Sequence, residues 1–160
     1  WGIEDARAFF QKIADRGVRV LDGNGAVRDL VVDGQLAYGL TDTDDACGAL
    51  EKGAPVKIVF PDQEEGGIGT LLIPNTVGLV AGGPNPEAGQ QLIDYLLSRE
   101  VEARLVESGW SQIAFRPLPA DVAAAACIDT GDVHGMSVGL TEVAEHIEEA
   151  KTDMAELFVR

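Results

Sequence analysis

Ile3, Ala6, Phe9, Phe10 and Ile13 recur at helical spacing, so the chain opens on an amphipathic helix that stops near Gly17. Val18 to Leu21 predicts a strand. Asp22-Gly-Asn-Gly25 breaks it, and Ala26, Val27, Leu30 and Val31 restore a helical period that ends at Asp33-Gly34. Leu36 to Leu40 is a short apolar run between polar neighbours, with the length and composition of a strand buried on both faces. Beyond it Asp42 or Thr43 supplies an N-cap, Asp44 and Asp45 suit the positive start of a helix, and Ala46 to Lys52 continues it. Helix, strand, helix, strand, helix over the first 53 residues predicts an α/β fold, a parallel sheet with covering helices.

Val56 to Phe60 reads as a further strand, and Pro61 to Gly67 as a polar, glycine-ended connector. The apolar run from Gly69 to Val80 is interrupted by Pro74-Asn75, which predicts an edge or a bend. Asn85 as N-cap and Pro86 at the first helical position start a helix lined by Ala88, Leu92, Tyr95 and Leu96. Ser98 caps the next, with Val101, Leu105 and Val106 apolar and Gly109 closing it. Residues 110–140, with Pro117, Pro119 and the run Ala123 to Ala126, predict a loop with one helical turn. From Leu140 to Val159 the residues Val143, Ile147, Ala150, Met154 and Leu157 alternate spacings of four and three, which predicts one long amphipathic helix.

Nearly half of the 160 residues are hydrophobic, enough for one domain or two small lobes, and no window is long and apolar enough to span a bilayer. The net charge of -15 excludes nucleic acid and anionic membrane as natural partners. Cys47 and Cys127 lack CxxC spacing; they form one bridge in an oxidising compartment or stay two buried thiols. Trp1 to Arg16 has neither the basic nor the apolar region of a signal peptide, and the chain reads as a piece of something longer.

Candidate chemistry concentrates in two turns. Thr41 to Asp45 follows the expected strand, and open α/β sheets place ligands at the carboxyl ends of their strands. The bland alternative is an acidic helix cap. Gly23-Asn24-Gly25 joins a strand to a helix start, where backbone N–H groups face an anion or a ligand oxygen, or the glycines serve only a positive φ. The run is not GxGxxG and no Gly-Lys-Ser/Thr occurs, so neither a dinucleotide nor a Walker site is supported. His146 beside the last helical stripe and His134 in a glycine loop read as surface residues.

Several runs together resemble the carboxyl-terminal half of a type 2 periplasmic or extracellular solute-binding protein of the ferric-iron ABC transporter class. They are Gly23 to Gly34, Tyr38 to Asp45, Val59 to Gln63, Ile73 to Thr76 and Asn85 to Ser98. Their order and spacing carry the likeness over nearly the whole chain, the last 40 residues matching only in general character. The resemblance implies a two-lobed α/β receptor of the type 2 periplasmic-binding-protein fold, present in part. Residues 1–60 would belong to the second lobe, 61–69 to a hinge crossing, and 70–160 to the return portion of the first lobe plus the carboxyl-terminal helices. It implies capture, without catalysis, of a metal ion or small polar solute in an interlobe cleft, and delivery to a membrane permease. The implied location is periplasmic or extracellular, at the membrane through the transporter. Exposed sheet edges would invite pairing with a second copy.

By the same likeness the ligand-binding residues are Thr41, Asp42 and Thr43 from one turn and Asn24 and Gly25 from the other. Iron-binding members carry adjacent tyrosines there; here the positions hold Thr41 to Asp45, and the only tyrosines are Tyr38 and Tyr95. Carboxylates and hydroxyls suit a hard cation, with a bound metal ion the one cofactor implied, and equally the hydroxyls or amine of an organic solute. An anionic solute needs the Gly23 to Ala26 turn, helix dipoles or arginines to outweigh Asp42. Phosphorylated and phosphonate solutes are known in the class. The competing enzymatic reading is a Mg-dependent phosphatase of haloacid-dehalogenase type, with Asp42 and Asp44 as its DxD pair and Gly131-Asp132 as its later acidic motif. An EF-hand is ruled out by Cys47 and Gly53 at positions that require glycine and glutamate.

Overall fold

Gly17 at φ 73° and Gly34 at φ 71° end the first two helices, in the left-handed backbone region that glycine enters without steric cost. A computed structural model describes residues 2–108, 114–128 and 133–159. Its elements in chain order are α1 (Ile3–Asp15), α2 (Asn24–Val32), α3 (Thr43–Glu51), α4 (Pro86–Leu96), α5 (Arg99–Glu107), α6 (Ala120–Ala125) and α7 (Leu140–Phe158). Local signals place these helices. Asp42 caps α3 by accepting from the Asp45 N–H at 3.3 Å, and Ser98 Oγ caps α5 by accepting from the Val101 N–H at 3.3 Å. Asn85 stands at the N-cap of α4 with Pro86 behind it but makes no side-chain cap bond. The Gly109 closure of α5 and the Gly131-Asp132 pair lie outside the described residues.

The α/β expectation is corrected. Among the described residues the four segments read as strands, Val18 to Leu21, Leu36 to Leu40, Val56 to Phe60 and the Gly69 to Val80 run, form no ladder. The one β-type pairing among those residues is an isolated parallel bridge between Thr70 and Gly135. Among the described residues there is therefore no type 2 periplasmic-binding-protein fold, whole or partial, and no strand end on which to seat a ligand. Leu36 to Leu40 is likewise not buried on both faces: Tyr38 is 86% exposed and Leu40 87%. The physical reason is that an apolar, β-branched run specifies extended backbone, whereas a strand needs a second segment to take its N–H and C=O groups.

The chain divides into two units. One joins the chain's two ends, Trp1–Gly23 and Ser137–Arg160, and there α1 packs on α7. The other is Asn24–Met136, in which α2 packs on α3, α4 on α5 and α5 on α6. Among the described residues its buried apolar side chains are Cys47 and Ala49 of α3, Val106 of α5 and Val122 of α6. A disulfide between Cys47 and Cys127 ties α3 to the segment after α6, with Cα atoms 5.9 Å apart, and resolves the two open cysteine readings.

Gln63 organises the connector of the second unit. Its Nε2 donates to Pro61 O at 3.0 Å, Thr70 Oγ1 at 3.0 Å and His134 O at 2.9 Å, while its Oε1 accepts from the His134 N–H at 2.7 Å. The Thr70 N–H also donates to His134 O, at 2.9 Å, and the Met136 N–H to Thr70 O, at 2.8 Å. Gly69 is required at this crossing: at φ 83° an added Cβ would stand 2.8 Å from His134 O.

Candidate functional site

The two turns singled out in the sequence come together. Both precede helices, because Gly23 at φ 119° turns the chain into α2 and Asp42 caps α3. With α2 packed on α3, their amino-terminal ends adjoin. Asn24 Nδ2 donates to Asp42 Oδ2, and Thr41 Oγ1 donates to Asn24 O at 3.3 Å. Asp42 therefore joins the turns as well as capping its helix. Gly25 lies against the same cluster: a Cβ added there would be 3.5 Å from Asp45 Oδ1 and 3.5 Å from Arg28 Nη2.

Of the five residues predicted to bind ligand, Asn24, Thr41 and Asp42 form one bonded group with Gly25 beside it. Thr43, the first residue of α3, is half-buried. Two participants escape the sequence reading. Arg28 Nη1 donates to Asp45 Oδ1, and its Nε donates to Asp29 Oδ1 at 2.9 Å. The available signal was spacing, since Arg28 follows Gly25 by three residues on one helix and so shares its face.

Asp42 and Asp44 respond differently to this environment. Burial pushes Asp42 up, but hydrogen bonds from Asn24, Asp44 and the Asp45 N–H outweigh it and hold the carboxylate below its ordinary range. Burial, then the hydrogen bond and like charge of Asp42, hold Asp44 above its ordinary range. Asp44 is therefore the carboxyl of the pair that keeps a proton longer. The site offers carboxylate acceptors for an ammonium or hydroxyl group, next to two helix starts whose N–H groups and dipoles favour an anion. Among the described residues no group of three or more His, Cys, Asp or Glu is arranged to hold a metal ion. A separate apolar groove of 560 Å³, lined by Leu50, Val56, Ile58, Phe60 and Ile128, contains none of the predicted site residues.

The family model described as bacterial extracellular solute-binding protein matches residues 1–132. Proteins named as 2-aminoethylphosphonate-binding periplasmic proteins, from Salmonella typhi, Salmonella typhimurium and Salmonella paratyphi A, are each 32% identical over 123 residues. The match takes in 76% of this chain and 35% of each relative, so the chain spans about a third of their length. No solved structure matches the chain. These relatives are named for a phosphonate, which corrects the ferric-iron likeness and the iron transport it implied. The physical ground is the turn itself: its phenolates are replaced by Thr41 to Asp45, and Tyr38 is almost wholly exposed. Capture in an interlobe cleft is corrected with it, because the sheets that would build two α/β lobes are absent among the described residues.

Proposed function

The chain belongs to the bacterial extracellular solute-binding protein family, and from that premise we propose that it carries a recognition surface for a small aminoalkylphosphonate of the 2-aminoethylphosphonate kind. The family is one of non-catalytic transport proteins, which sets aside the phosphatase alternative, and its members work in the periplasm or outside the cell. Among the described residues no helix is long and apolar enough to cross a membrane.

In this reading the solute is held without chemistry and passed to a membrane permease. Asp42, with Asp44 behind it, takes the ammonium. Thr41 and Thr43 supply hydroxyls, and the Asn24-Gly25 start of α2 turns backbone N–H groups toward the phosphonate. The observation that supports it is the Asn24–Asp42 hydrogen bond, which holds two helix starts and a carboxylate beside one another. A zwitterion needs that combination, an anionic group and a cationic group two carbons apart.

Isothermal titration of the chain with 2-aminoethylphosphonate tests the proposal, with 2-aminoethanol and ethylphosphonate as half-ligands. Saturable binding of the whole zwitterion, weakened about tenfold or more by Asp42→Asn, is expected. Asparagine caps a helix as well as aspartate does, so α3 stays in place while the variant removes the charge and one of the two oxygens that accept from the Asp45 N–H and Asn24 Nδ2. No binding, or equal binding by the variant, overturns the proposal.

A further inference from the structure

We infer that Arg28 is the specificity-determining residue for the anionic end of the solute, an inference that rests on the aminoalkylphosphonate reading above. Arg28 is the only cation between Arg19 and Lys52, in a chain of net charge -15. A phosphonate arriving near Asp42, Asp44 and Asp45 meets strong repulsion unless a positive group is already placed there.

Its placement is defined. The side chain is 26% exposed, half-sunk between the Asp29 carboxylate, whose Oδ1 lies 2.8 Å from Nη2, and the Asp45 carboxylate on Nη1. Hydrogen bonds occupy Nε and one N–H of Nη1, and Nη2 adds only an ion-pair contact with Asp29, so N–H groups of both Nη1 and Nη2 have no hydrogen-bond partner among the described residues. Two N–H groups on one planar fork match two oxygens of a phosphonate. The guanidinium and the Asp45 carboxylate both lie over Gly25, where a Cβ would stand 3.5 Å from Arg28 Nη2 and 3.5 Å from Asp45 Oδ1. The phosphonate would thus meet the fork and the α2 backbone N–H groups together. Asp29 and Asp45 hold the guanidinium in position until it does.

The test compares the unaltered chain with Arg28→Gln, Arg28→Lys and Gly25→Ala by calorimetry, using 2-aminoethylphosphonate and 2-aminoethanol as probes. Arg28→Gln is expected to weaken 2-aminoethylphosphonate binding about tenfold or more, while any binding of 2-aminoethanol is unchanged. Arg28→Lys, which keeps the charge and loses the fork, falls in between. Gly25→Ala guards against a folding artefact: it sits in a helix, meets its neighbours at ordinary contact distance and leaves Arg28 itself unaltered, yet places a methyl group 3.5 Å from Nη2. It is expected to weaken phosphonate binding as well. If the unaltered chain binds the phosphonate and both Arg28→Gln and Gly25→Ala bind it equally well, this inference alone is overturned. If the unaltered chain binds no phosphonate, the proposed function falls and this inference with it.

Discussion

Arg7 and Asp153, 146 positions apart, meet in a two-point ion pair: Arg7 Nε donates to Asp153 Oδ2 at 2.6 Å, and Nη2 donates to Oδ1. The exposure of the partners is unequal, since the Asp153 side chain is 6% exposed and that of Arg7 55%. Asp153 is held on α7 beside the packing stripe, and Arg7 of α1 closes over it. Removing Arg7 strands a buried carboxylate, whereas removing Asp153 leaves an arginine that water solvates. Arg7→Ala is therefore expected to loosen α1 from α7 more than Asp153→Ala does. For Asp153→Ala the loss is the smaller of the two, because its partner Arg7 is already largely exposed. Hydrogen exchange in α1 and α7 checks both, with α2 to α6 unchanged; the reverse order of the two variants contradicts the burial asymmetry.

The Cys47–Cys127 bridge closes a loop with a sequence separation of 80. Chain-entropy reasoning for a loop of that length gives a stabilisation of about 2–5 kcal/mol. Reductant, or Cys127→Ser, is expected to lower the unfolding free energy of the Asn24–Met136 unit by that amount, and its unfolding midpoint with it. Intact mass should rise by two hydrogens on reduction. An unchanged midpoint would mean that packing around Cys47 already holds α3 without the bridge.

The helices were legible in the sequence because their signals are local. Asp42 and Ser98 announce helix starts, Gly17 and Gly34 announce stops, and the stripe from Val143 to Leu157 gives the length of α7. Val56 to Phe60 and Leu36 to Leu40 show the opposite case. Their composition specifies extended backbone, but the partner that would make them strands is a long-range property that no window of sequence contains. The joining of the two candidate turns was implied only through the family likeness. It rests here on the contact of α2 with α3 and on an Asn24–Asp42 hydrogen bond across 18 positions. For Arg28 the sequence offered only its three-residue spacing from Gly25, which a solvated arginine would share; what distinguishes it is Asp45, which lies on another helix.

Gly39 marks another contact that spacing alone does not reveal. A Cβ built there collides with Val27 Cγ1 and comes within 3.4 Å of Val31 Cγ2, so the backbone of the 36–40 segment lies directly on the apolar side of α2. Gly39→Ala is expected to cost about 1–3 kcal/mol by overpacking. Val27→Ala in the same chain should restore most of that loss. Additive effects in a double-mutant cycle would show that the two residues do not touch.

Glu102 supplies a pH dependence. Burial pushes its carboxyl up, but Arg116 and the N–H groups of Phe115 and Arg116 outweigh burial and hold it below the ordinary glutamate range. The contacts are Phe115 N–H to Oε1 at 2.6 Å, Arg116 N–H to Oε1 at 3.3 Å and Arg116 Nη1 to Oε2 at 2.7 Å. With the folded value depressed, Glu102 stabilises the fold above the ordinary glutamate range, and that stability is lost as pH falls through the lower, folded value. Arg116 Nη2 also donates to Leu97 O at 2.9 Å, so the clamp holds the 114–116 segment to the end of α4 as well as to α5. Thermal melts across the acid range should show an acid-labile component in the unaltered chain that is missing in Glu102→Gln. A parallel loss in both would assign the lability to other carboxylates.

Asp42 and Asp44 act in opposite senses on the same helix start. The depressed Asp42 contributes stability present above the ordinary aspartate range and lost as pH falls; the raised Asp44 contributes stability present at low pH and lost as pH rises through its folded value. Around the ordinary aspartate range the two contributions have slopes of opposite sign. Asp44→Asn removes the rising-pH loss and leaves the acid-labile contribution of Asp42 visible. Asp42→Asn removes the like charge that raises Asp44, so carboxyl NMR titration should find Asp44 returning toward its ordinary value while the cap persists. An Asp44 titration unmoved by Asp42→Asn would show that burial alone raises it. The raised Asp44 would then owe nothing to the charge of its neighbour Asp42.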